Sequence, residues 1–354
     1  MQKDVLFTVE NQVGVITLNR PKALNALTYP MIINIQKQLQ AWVKDTAVKA
    51  VMIKSDSPKV FCAGGDVRWL YEAGEGNHHE QMQFFWHEYR LNHFISQYPK
   101  PYIALLDGLT MGGGVGVSLH GHHRIASARF SFAMPETGIG FFPDIGASYL
   151  LSRLPHHLGL YLGLTGNRIT ADEAYFAGLV DYRIESSSVM DVYHALIKAD
   201  FSKDPHETVK SCLKPFQLVK VDMQDLALPI NDIEACFSAE SIETVMDKLD
   251  TLSSPWATEV LATLSQKSPK SLKITFYQLR KAMSMTLADC LRMDYALVYH
   301  FMQDHDFYEG VRALLVDKDK SPQWNENSVE RVNEYELRQY FVAGDAPLEL
   351  LLHA

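Results

Sequence analysis

Hydrophobic and polar positions alternate with a period of two at the start of the chain. Val5–Glu10 and residues 14–18 read as strands around Asn11-Gln12, the pattern of a β-hairpin. The period then changes. Met31, Ile35, Leu39 and Trp42 recur at helical spacing and predict a helix over Tyr29–Lys44, with Thr28 placed to cap it and Pro30 in its first turn. Ala50–Ser55 and Tyr102–Leu106 are apolar runs of strand length. Over 82–97, Phe84, Glu88, Leu91 and Ile95 follow one another by four, three and four residues, so Glu88 falls on an otherwise apolar helical stripe. A carboxylate there either lines a cavity or snorkels to water at the stripe's edge, and spacing leaves both open. Leu158–Thr165 and 170–177 read as helices, the second with Thr170 and Glu173 in a capping-box pattern. From about residue 200 strands become scarce and helical stretches dominate, at 242–249, 257–264, 270–283 and 287–302. Asp204-Pro205 and Ser253-Ser254-Pro255 read as joints. The expected division is an α/β core over 1–200 and a mainly helical region over 201–354.

Two glycine-rich junctions interrupt this pattern where a strand gives way to a helix. Gly112, Gly113, Gly114 and Gly116 lead into a short helix expected over 115–119, and Gly64-Gly65-Asp66 follows Phe61-Cys62-Ala63. Glycines there let the backbone approach a ligand and leave amide N–H groups free at a helix start, where they suit an oxygen carrying negative charge. Gly113 is expected to have either a positive φ or no room for a Cβ. Gly116 is expected only to pack against a helix. The Gly65 amide is a candidate second donor, the alternative being a plain tight turn with Asp66 capping the next helix. Glu136 follows an extended stretch, and Asp144 lies eight residues on. Glu136 is either an active carboxylate or a solvated loop acid; Asp144 is either its partner or the N-cap of a helix over 146–154. Phe132, Met134, Phe141 and Phe142 surround both with apolar bulk, which tends to raise a carboxyl pKa toward neutrality.

Length and composition narrow the function classes. With 354 residues, 47% of them hydrophobic, the chain can bury a large core. A formal charge of −9, with acids outnumbering bases 42 to 33, excludes a basic nucleic-acid footprint. Four scattered cysteines form no CxxC pair and fit a reducing compartment. No apolar run approaches the roughly 18 residues of a membrane span, and the N-terminus has no apolar leader, so a cytoplasmic location is expected. His120, His122 and His123 lie outside any HExxH pattern and read as helix-end and strand-start residues, not as metal ligands.

Several separated motifs, in order, resemble the crotonase (enoyl-CoA hydratase/isomerase) superfamily: 18–27 (LNRPKALNAL), 61–66 (FCAGGD) and 111–116 (MGGGVG). The finer likeness is to its 3-hydroxyisobutyryl-CoA hydrolase branch, through 135–146 (PETGIGFFPDIG), 305–313 (HDFYEGVRA) and 317–324 (DKDKSPQW). The resemblance implies a right-handed spiral of ββα units with helices at the C-terminal end. It implies an acyl-CoA ligand whose thioester carbonyl is polarised between the amides of Gly65 and Gly113. Lys22, Ala23 and Leu24, with Ala63, Gly64 and Asp66, would line the CoA path, and Glu88, Glu136 and Asp144 would face the acyl group. Glu136 would attack the carbonyl or activate water, and Asp144 would grip the substrate 3-hydroxyl. The implied activity is hydrolysis of 3-hydroxyisobutyryl-CoA in valine breakdown, with no cofactor, since CoA is part of the substrate. The superfamily's trimers and hexamers imply a homo-oligomer. One departure sharpens the reading: Gly116 stands where hydratases carry their first catalytic glutamate. The alternatives are a hydratase or lyase using Glu136 and Asp144 as its acid/base pair, and a catalytically silent acyl-CoA-binding protein.

Overall fold

A computed structural model describes residues 3–57, 59–74, 78–344 and 347–350. Its first two strands, β1 (Val5–Glu10) and β2 (Val13–Leu18), form the expected antiparallel hairpin. β3 (Ala50–Ser55), β5 (Tyr102–Leu106), β7 (His123–Ser127) and β10 (Tyr182–Ile184) then add to it in parallel, giving a sheet in the order β1-β2-β3-β5-β7-β10. A second sheet, in the order β4-β6-β8-β9, holds β4 (Val60–Cys62), β6 (Leu109–Met111), β8 (Ser131–Ala133) and β9 (Ile169–Thr170). Each turn of the chain therefore gives one strand to each sheet, β3 then β4, β5 then β6, β7 then β8, before it crosses back. This is the right-handed ββα spiral expected from the resemblance. Strands covered on both faces have no solvent side, so β5 reads as an unbroken apolar run, and β2 is buried at every position although its sequence alternates.

The first two helices between the strands follow the cap residues that the sequence places, Thr28 and Asp66. α1 (Tyr29–Lys44) begins with the Thr28 hydroxyl accepting the Met31 N–H at 3.4 Å. α2 (Val67–Gly74) follows Asp66, and α3 (His78–Ser96) begins four residues before the expected stretch. α3 is packed between α1 and the helix Leu287–Phe301. It is buried on more than one face, and Glu88 and Asn92 are buried with Phe84 and Leu91. α4 is a single turn, Gly113–Gly116, starting two residues earlier than expected.

Beyond β10 every described element is helical, and both expected joints are helix starts, capped by Asp204 and Ser254. The helices Val189–Lys198 and Pro205–Leu213 pack on the six-stranded sheet in a core with Val15, Met52 and Ile103, and the later helices share a larger apolar core with the rest of the spiral. The tightest of these contacts is at Gly140, whose φ is +65 and whose added Cβ would collide with the Asp306 carbonyl of the helix His305–Val311. Strain from the left-handed backbone and overpacking against a main-chain group act together there. Gly140→Ala is expected to destabilise the protein by at least about 2 kcal/mol, read as a lower urea midpoint.

Candidate active site

The two glycine junctions meet. After β4 the chain turns through Ala63-Gly64-Gly65, with Gly64 at φ +115. Gly65 pairs with Leu27 as an isolated parallel bridge, in which the Leu27 N–H donates to Gly64 O at 2.8 Å and the Asp66 N–H donates to Leu27 O at 2.9 Å. In parallel pairing the flanking residues make the bonds, and the central residue's own N–H turns to the other side. Among the described residues the Gly65 N–H has no protein acceptor. The second junction leaves β6 through Gly112, at φ +45, and opens α4 at Gly113, whose N–H is one of the unpaired donors of a helix start. Gly113 is thus the case without room: a Cβ there would lie 2.6 Å from Glu88 Oε1 and 3.2 Å from the Gly65 nitrogen.

Three carboxyl groups close around these amides. Glu136 opens the short turn Glu136–Ile139 after β8, and its Oε1 lies 3.1 Å from where a Cβ on Gly112 would be. Glu88 reaches in from α3. Asp144 comes from the loop ahead of the helix Ala147–Leu151 and accepts the Tyr89 hydroxyl at 2.7 Å. All three are buried, and Glu88 Oε1 and Glu136 Oε2 have no hydrogen-bond partner. Burial, then the neighbouring Asp144 charge, hold both glutamates well above the usual carboxylate range. Burial pushes Asp144 up to about 7 against the opposing effect of the Tyr89 hydroxyl, which favours its charged form. The groups line a cavity of about 340 Å³, walled largely by apolar side chains that include Phe84, Phe85, Phe141 and Phe307.

Of the eleven residues that the resemblance assigns to the CoA path, the carbonyl and the acyl group, seven line this one cavity: Ala63, Gly64, Gly65, Glu88, Gly113, Glu136 and Asp144. Four do not. Lys22 and Ala23 form the exposed turn Pro21–Ala23, and Leu24 contributes only its carbonyl, which accepts the Ala63 N–H at 3.0 Å. The Asp66 carboxylate turns outward to pair with Arg20 at 2.9 Å and to accept the Trp69 N–H at 3.3 Å. Asp144 is no helix cap, because the N-cap of the helix Ala147–Leu151 is Gly146. Gly116 has less freedom than expected: a Cβ there would lie 2.6 Å from Asn92 Nδ2. His120 bonds the Ile145 carbonyl at 2.8 Å, and His123 meets His206 at 3.2 Å. Among the described residues no group of three His, Cys, Asp or Glu side chains could hold a metal.

Sequence reasoning missed what holds Asp144. The Gly146 N–H donates to Asp294 at 2.8 Å, and Gln278 Nε2 donates both to the Pro143 carbonyl at 2.9 Å and to Asp294 at 2.8 Å. Asp294 carried a usable signal, an acid in the apolar helical stretch 287–302, the same anomaly that drew attention to Glu88. Tyr89 carried none, since a buried tyrosine is ordinary.

Comparison with known proteins follows the same lines. A sequence model described as enoyl-CoA hydratase/isomerase matches residues 13–341. The chain belongs to the enoyl-CoA hydratase/isomerase family. Within the crotonase group it is 44% identical over 352 residues to the mitochondrial 3-hydroxyisobutyryl-CoA hydrolase of Xenopus tropicalis, covering 98% of this chain and 91% of that one. It is 41% identical to the human protein of that name, covering 96% of this chain and 88% of that one. Among solved structures, a carnitinyl-CoA dehydratase from Mycobacterium thermoresistibile superposes with a TM-score of 0.90 at 34% identity, covering 98% of this chain and 99% of that one. An enoyl-CoA hydratase from Rhodobacter sphaeroides gives 0.87 at 34%, covering 96% and 98%. The crotonase relatives named as hydrolases are also named as mitochondrial, and that overturns the cytoplasmic expectation. The expectation rested on a missing apolar leader, whereas mitochondrial leaders are amphipathic and have no apolar run to detect. Among the described residues no helix is long and apolar enough to cross a membrane.

The raised Asp144 pKa sets a stability slope. The folded chain holds a proton there that the unfolded chain releases above 3.8, so this site's contribution to stability falls as pH rises from 3.8 to about 7. Asp144→Asn removes the titration. Its urea midpoint is expected to exceed the parent's at pH 8, with the difference shrinking toward pH 4.

Proposed function

We propose that this crotonase hydrolyses 3-hydroxyisobutyryl-CoA, releasing 3-hydroxyisobutyrate and CoA. The observation that carries the reading is the convergence on one apolar cavity of two backbone amides, Gly65 and Gly113, unpaired among the described residues, and the buried carboxyl of Glu136, whose Oε2 has no hydrogen-bond partner there. The two relatives quoted above, named for that hydrolysis, support the choice of substrate.

The thioester carbonyl lies between the two N–H groups, which stabilise the negative charge that develops on its oxygen. Each such donor contributes roughly 3 kcal/mol in the transition state, on the scale of the subtilisin oxyanion hole. Glu136, its pKa raised above the usual carboxylate range by burial, attacks the carbonyl carbon in its ionised form or takes a proton from the water that does. In the first route CoA leaves as a thiolate and a glutamyl anhydride is hydrolysed; in the second, water adds and the thiolate is expelled directly. Asp144, steadied by Tyr89, accepts the substrate 3-hydroxyl. No cofactor takes part. Assembly into a trimer or hexamer, as the resemblance implies, is a separate proposal that light scattering tests.

Hydration is the second reading, because the solved structures at 34% identity are named as a hydratase and a dehydratase. The position where hydratases carry their first catalytic glutamate weighs against it. Gly116 lies against Asn92, so a longer side chain there has no room, and the acid/base pair would have to be Glu136 with Asp144.

A thiol-release assay across acyl-CoAs tests the proposal, since hydrolysis frees CoA and hydration does not. Glu136→Gln keeps the shape and is expected to lower kcat at least about a hundredfold with little change in KM; near-parent turnover would remove Glu136 from the mechanism. Asp144→Asn is expected to cost far more on a 3-hydroxyacyl-CoA than on the same acyl-CoA without the hydroxyl. Equal losses on both would mean that Asp144 does not read that hydroxyl.

A further inference from the structure

Three lysines lie within seven residues at the start of the helix Pro269–Ala282, and two of them are fully paired. Lys270 meets Asp304 at 2.7 Å and Glu326 at 3.8 Å. Lys273 meets Glu243 at 2.8 Å and Glu334 at 2.6 Å. Lys267 is different. It lines the cavity that holds Glu136, and among the described residues its amine makes neither an ion pair nor a hydrogen bond. Burial alone lowers its pKa, with no carboxylate close enough to raise it.

Its placement is fixed from both sides. The Lys267 N–H donates to Leu264 O at 3.0 Å, and the next residue, Ser268, donates its N–H to Thr137 O at 3.3 Å and its hydroxyl to Asp306 at 2.6 Å. These bonds anchor the lysine backbone beside the turn that starts at Glu136. The ammonium lies 3.3 Å from where a Cβ on Gly138 would be, so it occupies space that the missing side chain leaves. Around it the wall is half-open: Gly138, Ile139 and Leu314 are partly exposed and Leu315 is exposed, whereas Glu88, Glu136 and Asp144 are buried. Lys267 therefore stands at the open end, away from the acids.

We infer that Lys267 forms an anion subsite of the cavity, its ammonium taking an anionic oxygen group carried by the acyl-CoA ligand at a distance from the reacting thioester. The inference rests on the acyl-CoA reading above. A partly buried cation without a counter-charge is unfavourable in the empty protein, and a ligand that supplies the charge relieves it. An acyl-CoA can supply it in two ways, through the phosphates of CoA or through a carboxylate at the far end of the acyl chain. Either would lie outside the repulsion of the three acids.

The test is steady-state kinetics on Lys267→Met, which keeps an unbranched stem and removes the charge, and on Lys267→Arg, which restores it. Two substrate pairs are needed: the CoA thioester against the pantetheine thioester of one neutral acyl group, and a carboxyl-ended acyl-CoA against its methyl ester. The Met variant is expected to raise KM about tenfold for the anionic member of one pair, the size of a charge-assisted hydrogen bond. The fall should be in affinity, not in kcat, with the melting temperature unmoved and KM recovered in the Arg variant. A KM change specific to the CoA thioester identifies the phosphates; one specific to the carboxyl-ended chain identifies the carboxylate. Unchanged KM throughout, or an equal rise on the pantetheine thioester, overturns the inference. A parent enzyme that releases thiol from none of these substrates would bring down the acyl-CoA reading instead.

Discussion

Three carboxyl groups share an apolar cavity with no ion-pair partner among the described residues, and much of the fold serves to keep them there. A charge is costly in such surroundings, so burial holds all three groups toward their neutral forms, above the usual carboxylate range. A surface loop could not impose this. It takes α3 crossing the strand ends with Glu88 and Tyr89 on its inner side, and a layer of C-terminal helices closing the other face. The acids sit beside the two junctions where β4 and β6 give way to helices, and there the backbone offers two unpaired N–H groups facing the same space.

The spiral topology explains why both donors can meet. Successive turns of the chain place β4 and β6 side by side in the second sheet, so the glycines that follow each strand become neighbours although they are far apart in sequence. Asn25 then ties the preceding loop to this arrangement. It is buried in a left-handed conformation, accepts the Arg20 N–H at 2.8 Å, and donates to Ser55 at 2.8 Å and to the Phe61 carbonyl at 3.0 Å. Lys22 to Leu24 support the site through this loop without entering its walls.

The hairpin, α1, β3, β5 and the Thr170 capping box were legible because each obeys a local period or cap rule. Glu88 was legible as an anomaly, a charge on an apolar stripe, although only the packed structure shows that the stripe borders a cavity. What stayed hidden depends on distant partners. Asp66 keeps its capping position while its carboxylate turns to Arg20, and nothing in a strand–glycine–helix pattern reports that. Lys267 reads as one more charge before a helix until its neighbours Lys270 and Lys273 are seen to be neutralised. Gly116 looked permissive because the crowding comes from Asn92 on another helix.

The loop that carries Asp144 is pinned from far along the chain, by Asp294 at a separation of 148 residues and by Gln278 at a separation of 135. During synthesis, a chain completed to residue 200 already contains both glycine junctions and all three cavity acids. It lacks Gln278 and Asp294, which hold the Pro143 carbonyl and the N–H of Gly146, the latter in a left-handed conformation at φ +72. Such a nascent chain has the reactive groups but not their alignment, so competence arrives only when the last helices emerge and dock.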